Sequence, residues 1–95
     1  MDLPGHTELL AARTLLAGNV AERSTILAAA EYVWGAMFHR DEWPPALQGE
    51  ADTLQRMLLR YGTIRMTVDT MNDAELTDLR AALGAFIEAA ENAAG

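Results

Sequence analysis

The feature that most constrains the fold is a long apolar stripe at helical spacing within residues 20–39. Its main side chains, which recur every three or four residues, are Ile26, Ala30, Val33 and Met37, with Leu27, Trp34 and Phe38 beside them. Side chains at this spacing share one face of an α-helix. The stripe is wide, so it predicts a central helix over residues 20–39 that neighbouring elements cover from more than one side.

Three further segments have the same periodicity. A short helix is predicted over residues 7–17, after an irregular lead at residues 1–6. The next is predicted over residues 45–61, from Leu47, Ala51, Leu54, Leu58 and Tyr61. The last is predicted over residues 73–91, from Leu76, Leu79, Leu83, Phe86 and Ala90. This last stripe is close to a heptad repeat, which indicates either part of the core or a seam between subunits.

Start signals accompany three of these helices. Thr7 is a candidate N-cap for the first helix. Asn19 is followed three residues later by Glu22, and Asn72 by Glu75, which is the spacing of a capping box. These pairs predict helix starts just after residues 19 and 72.

Residues 63–71 fit two structures. Ile64, Met66 and Val68 alternate with polar residues, as in a half-buried strand, whereas Ile64, Val68 and Met71 fit a helix. A lone strand has no partner for its backbone groups, unless it pairs with the same segment of a second chain. We therefore favour a short helix here.

These elements predict an all-α protein, a compact three- to four-helix bundle in a single domain over residues 1–95. Much of the 51% apolar content is alanine, which buries little area per residue. A monomer would gain stability from association. We therefore expect a homo-oligomer, either a dimer or a larger assembly.

Charge is distributed unevenly along the chain. The formal net charge is −7, yet three of the seven arginines lie within residues 56–66, and there is no lysine. An acidic protein repels nucleic acid, so no nucleic-acid partner is predicted. No apolar run approaches the roughly 18 residues of a membrane span, and no membrane association is expected. Together with the absence of cysteine, this predicts a cytoplasmic protein of a bacterium or of a phage.

The arginine island at residues 56–66 admits three interpretations. Arg56 and Arg60 are neighbours on a helix, and Arg65 can join them if the chain turns at Gly62. Arg56, Arg60 and Arg65, with Tyr61 and Thr63, could then hold a nucleotide, a phosphate or an acidic peptide. Alternatively, the arginines form a solvated face that pairs with acids of the same chain; the candidates are Asp52, Asp73, Glu75 and Asp78. A contact with the acidic face of a second subunit is the third interpretation.

Trp43 lies in a proline-rich link between two predicted helices. It can close one end of the bundle, which we favour, because the apolar ends of a bundle need covering. The alternative is an exposed anchor for a partner protein.

The sequence predicts no catalytic residue, no metal ligand and no cofactor. Its only serine is Ser24, in a predicted first helical turn, and cysteine is absent. His39, Asp41 and Glu42 are nearly consecutive, and such residues rarely converge on one metal ion. The predicted function is a small non-enzymatic interaction or regulatory module that binds a protein of unknown identity and forms a homo-oligomer. The alternative is a protein that binds a small anion through the arginine island, at a junction between subunits.

Overall fold

The structure is a computed structural model that describes residues 3–18 and 22–94. Its central element is helix α2, Arg23–Ala36. The other elements are α1, His6–Leu16; a 3-10 helix, Met37–Glu42; α3, Pro45–Leu58; α4, Ile64–Thr70; and α5, Asp73–Ala94. No strand occurs in the described ranges. The all-α class is confirmed. The helix count is higher than the predicted three to four, because the ambiguous segment at 63–71 forms the separate helix α4.

Three helices cover α2, namely α1, α4 and α5. Its stripe is buried at Ile26, Ala30 and Val33, and the following 3-10 helix buries Met37. Phe38 departs from the expectation, because its side chain is 79% exposed. The helix predicted over 20–39 ends at Ala36, and the tighter 3-10 turn that follows has three residues per turn instead of 3.6. This change of pitch rotates Phe38 out of the stripe.

The N-terminal lead is packed onto the end of α2. Leu3 is buried, and Gly5, not Thr7, is the N-cap of α1. Gly5 has φ of 84°, and a Cβ at this position would lie 3.0 Å from the carbonyl oxygen of Ala36. This position requires a left-handed backbone and a close approach to another helix, and glycine allows both because it has no Cβ.

The two predicted capping boxes have different outcomes. At α5, Glu75 N–H donates to Asn72 Oδ1 at 2.9 Å, and Asn72 N–H donates to Glu75 Oε1 at 3.3 Å. This reciprocal pair is the predicted box. At α2, Glu22 is itself the N-cap, so it does not occupy the third helical position. Asn19, the other half of that prediction, lies outside the described residues.

Helices α3 and α5 complete the core. The stripe of α3 is buried at Leu47, Ala51, Leu54 and Leu58. That of α5 is buried at Leu76, Leu79, Leu83, Phe86, Ile87 and Ala90. The heptad-like side chains of α5 therefore pack within their own chain, and the interpretation of this stripe as a seam between subunits is wrong. Although α5 has 22 residues, neither it nor any other helix in the described ranges is apolar enough to cross a membrane.

Candidate functional site

The arginine island straddles a sharp turn between α3 and α4. Helix α3 was predicted to reach residue 61, but it ends at Leu58, and the chain turns through Leu59–Gly62. Gly62 has φ of 120°, which favours glycine. The turn distributes the predicted site residues over three elements: Arg56 in α3, Arg60 and Tyr61 in the turn, Thr63 at the N-cap of α4, and Arg65 in α4.

A carboxylate of the same chain occupies the middle of this island. The Nη1 atom of Arg60 lies 3.2 Å from Oε2 of Glu75, and the hydroxyl of Tyr61 donates to the same oxygen at 2.6 Å. Glu75 is held in place by the capping box with Asn72. Arg60 and Tyr61 thus direct their donors at a residue that sequence reasoning had named among four possible partners.

The hydrogen bonds of this cluster shift two pKa values in opposite directions. The Tyr61 hydroxyl and the backbone N–H of Asn72 stabilise the carboxylate and lower the pKa of Glu75, and Arg60 contributes in the same direction. The same hydrogen bond to Glu75 raises the pKa of Tyr61, because the phenol must keep its proton to donate. At neutral pH the cluster therefore contains a carboxylate, a neutral phenol and a guanidinium.

Two threonine hydroxyls organise the turn by accepting hydrogen bonds from backbone N–H groups. Thr63 Oγ1 accepts a hydrogen bond from the N–H of Met66 at 3.2 Å and so caps α4. Thr67 is fully buried, and its Oγ1 accepts from the N–H of Tyr61 at 3.1 Å. Sequence reasoning missed Thr67, because its partner is a backbone group.

All four arginines outside the island connect one element to another. Arg23 donates through Nη1 to the carbonyl oxygens of Val68 and Met71, at the C-terminal end of α4. Arg80 donates through Nη2 to the carbonyl oxygens of Leu16 and Gly18, both at 3.0 Å. Each guanidinium thus satisfies acceptors that a helix C-terminus leaves without a partner.

The remaining ties are ion pairs between side chains. Arg13 pairs with Glu91 at 2.8 Å. Arg40 pairs with Asp52 at 2.7 Å and also donates to Gln55. Asp52 was predicted to pair with the island, but it is engaged by Arg40 from the 3-10 helix instead.

Arg56 and Arg65 are the two arginines that remain. Across residues 3–18 and 22–94, neither has an ion pair or a side-chain hydrogen bond. Both are exposed. Of the three arginines in the predicted anion site, Arg60 is engaged with Glu75 through Nη1, whereas these two keep all of their donors free in the same ranges.

Trp43 closes one end of the bundle. Its side chain is 3% exposed, and its ring lies 5.8 Å from that of Phe86, measured between centroids. The indole Nε1–H donates to the carbonyl oxygen of Pro4 at 2.8 Å. The interpretation of Trp43 as an exposed anchor is wrong, because the N-terminal lead and α5 cover it.

The residues His39, Asp41 and Glu42 lie on the 3-10 helix and are exposed. His39 Nδ1 is 3.5 Å from Glu42 Oε2. Within the described ranges, no group of three or more histidine, aspartate or glutamate side chains is arranged to hold a metal ion.

The most exposed of the large apolar side chains in the described ranges, Phe38, lines one of two hollows that share lining residues. One, of about 210 Å³, is lined by Trp34, Met37, Phe38, Arg40 and Gln55. The other, of about 420 Å³, is lined by Arg40, Asp52, Gln55, Arg56 and Leu59. The two hollows share Arg40 and Gln55, so they adjoin. We define the Phe38 strip as five of their lining residues together with Asp41, which lines neither hollow but follows Phe38 by one turn of the 3-10 helix: Asp41, Phe38, Arg40, Gln55, Leu59 and Arg56.

The Phe38 strip combines two short periodicities. In a 3-10 helix, residues three apart share a face, so Asp41 lies on the face of Phe38. On α3, Asp52, Gln55, Arg56 and the capping residue Leu59 share a face at helical spacing. Sequence reasoning missed this surface, because it placed Phe38 in the buried stripe of a longer α2.

We expect Tyr61→Phe to raise the pKa of Glu75, because the phenol hydrogen bond is the largest of the contacts that lower it. The folded-state pKa of Glu75 lies below its ordinary value of 4.5, so its contribution to stability is complete above that pH. The contribution is lost as the pH falls through the folded-state pKa. The free energy of unfolding of Tyr61→Phe should therefore be lower than that of the wild type near neutral pH, and this difference should become smaller in acid.

Carbon-13 NMR titration of the Glu75 carboxyl and urea unfolding near neutral pH and in acid would measure both effects. Tyr32→Phe is the matched control, since Tyr32 is an exposed tyrosine on α2. An unchanged Glu75 titration in Tyr61→Phe would contradict the assigned hydrogen bond.

Comparisons of this chain with protein-family models, with curated proteins and with solved structures found no match.

Proposed function

We propose that this chain is a small non-enzymatic interaction module that acts in the cytoplasm by binding protein, and that it assembles with copies of itself. The observation that carries the proposal is the Phe38 strip, in which a phenylalanine is 79% exposed and lines one of two adjoining hollows. Burying a phenylalanine side chain contributes about 1.5–3 kcal/mol, so a partner that covers Phe38 would gain a free energy of that order.

The fold holds Phe38 in a fixed position. The residue before it, Met37, is buried, and Trp43 anchors the other end of the 3-10 helix through Pro4 and Phe86. Arg40, two residues further on, is tied to Asp52 and Gln55 of α3. These contacts hold the backbone that presents Phe38, so little backbone entropy is lost on binding, and aromatic side chains presented in this way are typical anchors of protein interfaces.

The small-anion alternative has less support. Its central donors, Arg60 and Tyr61, contact Glu75, whose carboxylate would repel a second anion at the same place. Arg56 and Arg65 remain for such a ligand, together with the exposed Thr63 hydroxyl, which accepts from Met66 and keeps its own donor. Native mass spectrometry of the gently purified protein tests this alternative. We expect integer multiples of the chain mass, whereas an added mass lost in Arg56→Gln would support the anion site.

Phe38→Ser tests the interaction module. We expect the wild type to sediment as a dimer or a larger assembly at tens of micromolar, and the variant to associate about tenfold or more weakly. Sedimentation velocity over a concentration series measures the change. Tyr32→Ser is the control, because Tyr32 is an exposed aromatic residue that lines neither hollow. A wild type that stays monomeric to about millimolar concentration would refute the self-assembly.

A further inference from the structure

The two edges of the Phe38 strip have opposite charges. Arg40 and Asp52 neutralise each other near its middle, at 2.7 Å. The charges that remain are Asp41, which the three-residue period of the 3-10 helix puts on the face of Phe38, and Arg56, which lines the larger hollow with Leu59. In the part of the chain that the structure describes, neither Asp41 nor Arg56 has an ion-pair partner.

A surface with this arrangement is complementary to itself. In a two-fold dimer the same patch of each subunit meets, and if one residue contacts a second residue of the partner, the reverse contact also forms. A two-fold axis through the middle of the strip would bring Asp41 of each protomer opposite Arg56 of the other. The same rotation would bring Phe38 opposite Leu59, beside the larger hollow.

We propose that a second copy of this chain is the occupant of the Phe38 strip, in a two-fold dimer with two Arg56–Asp41 ion pairs around two Phe38–Leu59 contacts. This proposal rests on the proposed self-assembly. It adds which surface the two copies share and which residues face each other across it. The net charge of −7 opposes the approach of two copies, so local pairing of opposite charges has to offset that repulsion.

Charge reversal with mixing tests the register. In Arg56→Asp, each pair becomes two aspartates, and in Asp41→Arg, each pair becomes two arginines. We expect each variant alone to dimerise about tenfold or more weakly than wild type, because like charges are opposed across the interface. An equimolar mixture of the two variants restores both pairs in a heterodimer, which native mass spectrometry separates from the homodimers by mass.

Two control variants change charge elsewhere. Asp69→Arg lies between Val68 and Met71, which contact Arg23 at the opposite end of α2 from Phe38. Arg65→Asp changes an exposed arginine of α4 that lines neither hollow. Both should dimerise within about twofold of wild type, since charges outside an interface act mainly through the net field.

The outcomes separate this proposal from the proposed function. Restored dimerisation in the mixture supports the register, and it also shows that the single variants are folded. A second outcome is that Phe38→Ser weakens dimerisation, whereas Arg56→Asp and Asp41→Arg do not change it. That result would overturn the register and leave the self-assembly standing. If each variant alone dimerises more weakly and the mixture does not restore dimerisation, the two-fold pairing is overturned.

Discussion

Trp43→Ala is expected to lower the free energy of unfolding by about 3–5 kcal/mol, the usual cost of truncating a buried tryptophan. The indole fills the end of the bundle against Phe86, and its N–H holds the Pro4 carbonyl. A domain of this size has a total stability of roughly 5–14 kcal/mol, so the loss is a large fraction of it. Urea unfolding followed by circular dichroism measures the change.

Trp43→Phe removes part of what the indole contributes. It keeps an aromatic ring next to Phe86 but removes the donor to Pro4 and one ring of buried volume, so we expect a loss of at least about 1 kcal/mol that stays below that of Trp43→Ala. In Trp43→Ala, hydrogen exchange at the His6 amide should also accelerate, because this amide donates to Leu3 in the lead that Trp43 holds. A loss below about 1 kcal/mol for Trp43→Ala would indicate that the end of the bundle is closed by other contacts.

Local signals in the sequence predicted much of the fold. Apolar stripes identified the helices, and the Asn72–Glu75 spacing identified the start of α5, because both depend on residues within a few positions of one another. The errors arose where a distant contact decides the local structure. Gly5 is left-handed against Ala36, and the helix through Phe38 tightens next to Trp43, which is tied to Pro4. The spacing of residues along the chain does not indicate such contacts, because they join residues that are far apart in the sequence.

The candidate site was harder to predict for the same reason. The sequence placed Arg56 and Arg60 together and offered four acids as partners, but the choice of Glu75 depends on how far α4 carries the chain before α5 begins. Arg23 and Arg80 gave no signal at all, because their acceptors are backbone carbonyls, which every residue has. The absence of lysine, which codon usage could explain, also accords with structure, since several guanidinium groups bind two acceptors each.

Arg23→Met is expected to lower the free energy of unfolding by about 1.5–3 kcal/mol, the range for hydrogen bonds made by a charged group. Methionine keeps an apolar stem of similar length and removes the donors to Val68 and Met71. Helix α4 has only seven residues and is too short to be stable alone, so its last carbonyls depend on this tertiary contact. Hydrogen exchange at the Met71 amide, which donates to Thr67, should report the loosening directly.

Two further variants give this prediction its specificity. Arg23→Lys keeps a positive charge near the C-terminal end of α4, so part of the loss should be recovered through the helix dipole. Arg65→Met removes an exposed arginine from the same helix and should change stability by less than about 0.5 kcal/mol. If Arg23→Met were as mild as Arg65→Met, α4 would be held by its buried Val68 and Thr67 alone. We expect the free energy of unfolding to be lowest with Met at position 23, higher with Lys and highest with the native Arg. That order would show that a guanidinium from α2 fixes α4 in place, and with it the turn that positions Tyr61.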